Sequence, residues 1–136
     1  MKRTATAVWN GSGKDGSGHL TTQSSTLNHT QYSYKSRFEQ GVGTNPEELI
    51  AAAHSGCFAM ALSFELQKAG LTADSLDVTA EVTIENGTIT TSHLILKAKI
   101  PGITKEKFDE SAANAKAGCP VSKVLNAAIS LDASLV

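Results

Sequence analysis

Two thiols, an imidazole and a guanidinium are the side chains here whose type and placement could do chemistry: Cys57, Cys119, His54 and Arg37. A thiol is nucleophilic only as thiolate, and burial alone raises its pKa, so a cation or a helix dipole must lie nearby. Cys57 falls inside a long apolar run, where a cysteine is more often an inert small hydrophobe. Its small neighbours Ser55 and Gly56 would nonetheless let another group approach the sulfur. Arg37 is the candidate cation, since it ends a predicted strand just before the loop into that run; its bland reading is a surface charge. Cys119 precedes Pro120 at a predicted helix start, where unpaired N–H groups favour a negative sulfur. His54 is three residues before Cys57 and so on the same side of a helix. That spacing suits a nucleophile and base, or a structural histidine with satisfied nitrogens. The cysteines are 62 positions apart and there is no C-x-x-C, so only the tertiary fold could pair them. His19, His29 and His93 have no metal-ligand spacing. The glycine-rich stretch 11–18 precedes no helix and reads as a turn, not a phosphate cradle.

The elements that must position these groups follow from periodicity. Residues 44–70 carry the strongest helix signal, with Asn45 as N-cap, Pro46 at the first helical position and Gly70 as the stop. Glu48, three residues after Asn45, is expected to reach back to the cap's backbone N–H. No Lys, Arg, Asp or Glu occurs between Leu49 and Phe64, which predicts a buried central helix. His54, Ser55 and Gly56 and a short length argue against a membrane span. Before it, alternation predicts strands over 4–9, 19–27 and 30–38, then a loop over 39–45. After it, Leu76, Val78, Ala80, Val82 and Ile84 alternate up to Asn86-Gly87, a strong hairpin signal. The return strand, 89–100, shifts phase, which predicts a bulge near Ser92-His93. An amphipathic helix over 103–118, a short helix from Pro120 with Cys119 at its N-cap, and a strand over 128–136 complete an α+β chain with largely antiparallel sheets.

At 136 residues and 40% hydrophobic, the chain has room for one core, and it reads as a single domain, 1–136. A net charge of −1 without a basic run leaves no electrostatic footprint for nucleic acid or an anionic membrane. The start MKRTATAVWN lacks an apolar h-region, so neither a signal peptide nor an anchor is expected and the cytoplasm is favoured. Two cysteines are too few for a secreted disulfide framework.

The strings RFEQGVGTNPEELIAAAHSGCFAMALS and AKAGCPVSKVLNAAISL take the reading further. Together they resemble the OsmC/Ohr family of organic hydroperoxide reductases over nearly the whole chain. AAHSGCF and the arginine of RFE look more like the OsmC branch. The resemblance implies an OsmC-like α+β fold: an intertwined homodimer with antiparallel sheets wrapped around buried central helices. It implies that Cys57 is the peroxidatic cysteine and Cys119, in GCPVS, the resolving one. Arg37 would hold the thiolate, and Glu47, the first glutamate of NPEEL, would orient that arginine. No metal or prosthetic group is implied, and an external lipoyl-type dithiol, free or on a lipoylated protein, would be the reductant.

On that reading Cys57 attacks a peroxide oxygen and becomes a sulfenic acid, which condenses with Cys119 to a disulfide. Phe38, Phe58 and Met60 are expected to line an apolar substrate pocket. Glu47 and Cys57 are ten positions apart, about 15 Å along a helix and roughly 80° apart around it. Glu47 of one chain is therefore expected to meet Arg37 and Cys57 of the other across a two-fold axis. Two other classes remain open: a Cys–His hydrolase or acyl-transfer enzyme using Cys57 and His54, and a non-catalytic dimeric binding protein.

Overall fold

Alternation in the first 33 residues builds three short strands, β1 (Ala5–Asn10), β2 (Ser17–Thr22) and β3 (Thr30–Ser33). They form an antiparallel sheet in the order β1-β2-β3. The computed structural model describes all residues, 1–136, and these strands belong to the first of two compact units, Met1–Leu49 and Ile50–Val136. Gly18 is required in β2: a Cβ there would lie 2.8 Å from the Tyr32 ring and 2.9 Å from the Trp9 ring. Those rings pack at 5.2 Å between centroids over the bare backbone. β1 is exposed along its whole length, and the unit buries only Gly18, Ser36, Thr44 and Glu47.

The expected third strand over 30–38 ends early. Ser33 caps a five-residue helix, α1 (Tyr34–Phe38), through a full capping box with Ser36. Local hydroxyl-to-backbone bonds offered the chain an alternative to the ladder, and they override the alternation of Tyr32 and Tyr34. Arg37 therefore sits on a helix and not at a strand end. The next helix, α2 (Pro46–Lys68), begins as expected at Asn45, whose Oδ1 accepts from the Glu48 N–H at 2.8 Å. Only half of the expected box forms, because the Glu48 carboxylate instead accepts from the Thr44 hydroxyl at 2.7 Å.

In the second unit α2 lays His54, Phe58, Leu62 and Leu66 along one stripe, four residues apart, and all are almost wholly buried. They meet Leu94, Leu96 and Ala98 of β5 (Thr88–Lys99) and Phe108, Ala112 and Ala115 of α3 (Lys105–Gly118). The helix is not buried all round within one chain: Met60 is 64% exposed and Phe64 56%. Nor is it short, since its 23 residues are long and apolar enough to cross a membrane by length and composition. It serves here as the core helix of a sheet, with its stripe buried by protein.

That sheet has the order β4-β5-β6. β4 (Ser75–Glu85) and β5 form a hairpin through Asn86 and Gly87, both at positive φ as a primed turn requires. The bulge lies at Thr90, opposite the Thr83–Ile84 step, and not at Ser92-His93. Placed there, the extra residue returns Ile89 to the face of Leu94, and Ser92 stays in phase with the core as a buried polar residue. The break in phase is legible in the sequence, but Ser92 interrupts the apolar pattern only because it is a serine on the core face. β6 (Ala128–Leu135) pairs parallel with β5, which needs a crossover. α3 and the short α4 (Pro120–Val124) supply it, with Cys119 closing one and opening the other.

Candidate active site

The four site residues fall into two clusters, one in each unit. In the first, α1 and the head of α2 are tied by backbone-directed bonds. Ser36 Oγ donates to the Thr44 carbonyl at 2.8 Å, and Asn45 Nδ2 donates to the Ser36 carbonyl at 3.0 Å. This lock sets Arg37 against Glu47. Arg37 Nε donates to both carboxylate oxygens at 3.1 and 3.2 Å, and Nη2 donates to Oε1 at 2.8 Å. Glu47 is buried while the Arg37 side chain keeps 36% of its surface exposed, so the fork is held at its stem and presented at its tip. The guanidinium lines a pocket of about 230 Å³ with Trp9, Tyr32, Tyr34 and Phe38. Glu47 thus pairs with Arg37 of its own chain. The expectation that it crosses to a partner's Arg37 is corrected, because the Ser36–Thr44–Asn45 lock is local.

In the second cluster, Cys57 on α2 and Cys119 at the head of α4 are both free thiols, near enough for each to shift the other's pKa. Cys57 is half-buried and Cys119 fully buried, so a reagent from solvent meets Cys57 first. Burial, then the Cys119 thiol, pushes Cys57 above the ordinary thiol value, against a smaller lowering by the Val121 N–H. Burial also acts upward on Cys119, but there it is outweighed. The Cys57 thiol, the Ser122 N–H and hydroxyl and the Val121 N–H together hold Cys119 below its ordinary value. The sulfur closes no side-chain cap on α4, so these groups act as oriented dipoles at its first turn. A thiolate on Cys57 needs a cation, as the sequence reading required.

His54 does not pair with Cys57. Its Nδ1 lies 2.6 Å from Ser92 Oγ and its Nε2 2.8 Å from Ser122 Oγ, so both ring nitrogens are taken by hydroxyls. The Cys57–His54 dyad of a hydrolase is thereby removed. Ser92 and Ser122 went unnoticed in the sequence, although Ser122 stands three residues after Cys119, at the first-turn position where side chains meet the cap. Phe58 does not line a pocket, being wholly buried in the core; Phe38 does. No three His, Cys, Asp or Glu side chains gather as a metal-binding group would.

Two neighbouring free thiols on an α+β scaffold suit a dithiol–disulfide pair. The family model described as OsmC-like protein matches residues 39–134. Peroxiredoxin OsmC of Escherichia coli (strain K12) is 47% identical over 133 residues, covering 95% of this chain and 93% of that protein. The same figures hold for Peroxiredoxin OsmC of Shigella flexneri. Among solved structures, an organic hydroperoxide resistance protein from Elizabethkingia anophelis superposes with a TM-score of 0.72 at 29% identity, covering 100% of this chain and 99% of that one. The organic hydroperoxide resistance protein OhrB of Bacillus subtilis gives 0.74 at 24% identity over 96% of this chain and 98% of its own, which bears on the fold alone. The chain belongs to the OsmC family.

Proposed function

We propose that the chain is a thiol-dependent peroxidase that reduces organic hydroperoxides to alcohols, with Cys57 as the attacking sulfur and Cys119 as the resolving one. The observation that carries this is the half-buried Cys57 beside the buried Cys119. Peroxide reaches the first, and the second waits beside it. The names of the 47% identical relatives, peroxiredoxins, support the same chemistry.

The Cys57 thiolate attacks one peroxide oxygen. An S–O bond forms, the O–O bond breaks, and the leaving alkoxide takes a proton to become the alcohol. Cys57 is then a sulfenic acid. Cys119 attacks its sulfur; the S–S bond forms, the S–O bond breaks and water leaves. An external dithiol, of lipoyl type, returns both thiols by exchange and is itself oxidised. Arg37, oriented by Glu47, supplies the cation that draws the charge onto Cys57 and meets the developing negative charge with a fork that lysine lacks. The aromatic side chains around Arg37 favour an alkyl or aryl group over hydrogen peroxide.

The working form is an intertwined homodimer of single OsmC-like domains, 1–136, acting in the cytoplasm. The first unit buries no apolar side chain, and a three-stranded sheet with an exposed apolar face needs something to pack on. Met60 and Phe64 of α2 are exposed in the same unsatisfied way. A second copy of the chain answers both needs. Arg37 and Glu47 would then be delivered together, as a pair, to Cys57 of the other subunit.

Cysteine variants test the chemistry. Cys57→Ser should abolish even one turnover, because a serine hydroxyl is scarcely ionised at neutral pH. Cys119→Ser should release one alcohol per site and stall as a sulfenic acid that a 1,3-dione traps. Wild-type peroxidase activity in Cys57→Ser would end the proposal.

A further inference from the structure

His54 is fully buried, ionisable and without a part in the scheme above. Its surroundings are specific. Ser92 of β5 holds Nδ1 at 2.6 Å, and Ser122 of α4 lies 2.8 Å from Nε2. Ser122 is the third residue of the helix that Cys119 caps, which sets its hydroxyl on the Cys119 side of that turn, where it favours negative charge on the sulfur. Four side chains on three elements, β5, α2 and the head of α4, thus form one line of polar groups: Ser92, His54, Ser122, Cys119. Each hydroxyl can donate or accept, so the line can carry its hydrogens in either direction. Satisfied nitrogens alone suit a structural histidine; the Nε2 partner here, Ser122, is also the third residue of the short helix that Cys119 opens.

We infer that His54 is a positioning residue for the resolving step, acting through the Ser122 hydroxyl to take the proton of Cys119 as that sulfur attacks the Cys57 sulfenic acid. The inference rests on the peroxidase reading and concerns its second step. As the S–S bond forms, the Cys119 proton moves onto Ser122 Oγ and the proton of that hydroxyl passes to His54 Nε2. The S–O bond of Cys57 breaks and the leaving hydroxide needs a proton. His54 Nε2 hands its proton back to Ser122 Oγ, and that hydroxyl passes one on to the hydroxide leaving the Cys57 sulfur, so that Cys119–SH and Cys57–SOH give the disulfide and water. Ser92 keeps the ring in register by occupying Nδ1. Burial holds the His54 pKa below its ordinary value, so the ring is neutral at pH 7 and free to accept. The same burial makes it give the proton up again.

The titratable groups facing this line are Cys57 on α2, Cys119 at the head of α4 and Lys116 on α3, which lines a surface cleft together with Ser122; β5 presents only Ser92. The pH profile of disulfide formation therefore separates the histidine from the thiols. Reduced full-length protein is mixed with one equivalent of cumene hydroperoxide between about pH 5.5 and about pH 9, spanning the ordinary histidine and thiol ranges. Sulfenic acid is trapped with a 1,3-dione, and disulfide is measured by thiol loss. Wild-type resolution should be level across neutral pH and fall only on the acid side, below the ordinary histidine range. Ser122→Ala and His54→Gln should accumulate trapped sulfenic acid and slow disulfide formation about 10²-fold at neutral pH, a usual size for a lost proton acceptor. Their rates should climb with pH through the thiol range and approach wild type at the alkaline end. Ser122→Thr, which keeps the hydroxyl, should restore the wild-type profile. Ser122→Ala removes one half-buried hydroxyl, so it covers the case in which His54→Gln does not fold. Equal slowing at every pH would reduce the line to a structural support and overturn the inference. Unchanged rates and profile would do the same while leaving the peroxidase reading intact. Absence of any Cys57 sulfenic acid in Cys119→Ser, where nothing resolves it, would remove both.

Discussion

Arg37→Lys keeps the charge and discards the geometry, and the structure says what that costs. Arg37 makes three contacts to the Glu47 carboxylate, two from Nε and one from Nη2. A lysine ammonium approaching from the same stem can keep one. Hydrogen bonds to charged groups contribute about 1.5–3 kcal/mol when well shielded. The Arg37 side chain is 36% exposed, so solvent screening brings each down to about 0.5–1 kcal/mol. Two lost contacts then amount to about 1–2 kcal/mol of orientation. Expressed in the barrier, that is a fall of about 5- to 30-fold in kcat/KM. The assay is consumption of cumene hydroperoxide with a lipoyl-type dithiol in excess, alongside a melting curve to exclude unfolding. The loss should be in the first, peroxide-dependent step, with disulfide formation after oxidation unaffected. Kinetics within about twofold of wild type would mean that a bare positive charge suffices, and the argument from the fork would be wrong.

Mixing Glu47→Ala with Cys57→Ser protomers, each inactive alone, should restore activity in confirmed heterodimers, since one site would carry both lesions and the other neither. Failure to recover would place the Arg37–Glu47 pair in the same chain's site as Cys57. Leu62, wholly buried in the stripe of α2, should cost about 2–5 kcal/mol when cut to alanine, read as a shift in urea midpoint. A cost under about 1 kcal/mol would mean that the core relaxes around α2 more easily than its packing suggests.

What the sequence made legible was mostly local. Asn45, Pro46 and Gly70 bracket the central helix, and Asn86-Gly87 turns the hairpin, because capping and positive φ are chosen by single residues. The short helix that carries Arg37 was missed because Ser33 and Ser36 compete with the ladder through a bond that periodicity does not register. The all-round burial of α2 was also misread. A charge-free helix shows only that something must cover it, and one chain covers the His54–Leu66 stripe alone. Cys57 and Cys119 could be singled out from their neighbours, but their nearness depends on α3 carrying Cys119 back towards α2, which is tertiary. The serines on either side of His54 come from β5 and α4, 38 and 68 positions away, and no local pattern points to them.

The central claim is that Cys57 and Cys119 form one dithiol that a single peroxide molecule oxidises. Its most direct test is to titrate fully reduced protein with cumene hydroperoxide while counting free thiols and mapping the oxidised peptides by mass spectrometry. The account predicts that one equivalent removes both thiols of each chain, releases one equivalent of alcohol, and yields a Cys57–Cys119 disulfide within the chain. Thiols that survive the titration, or alcohol released without that disulfide, would contradict it.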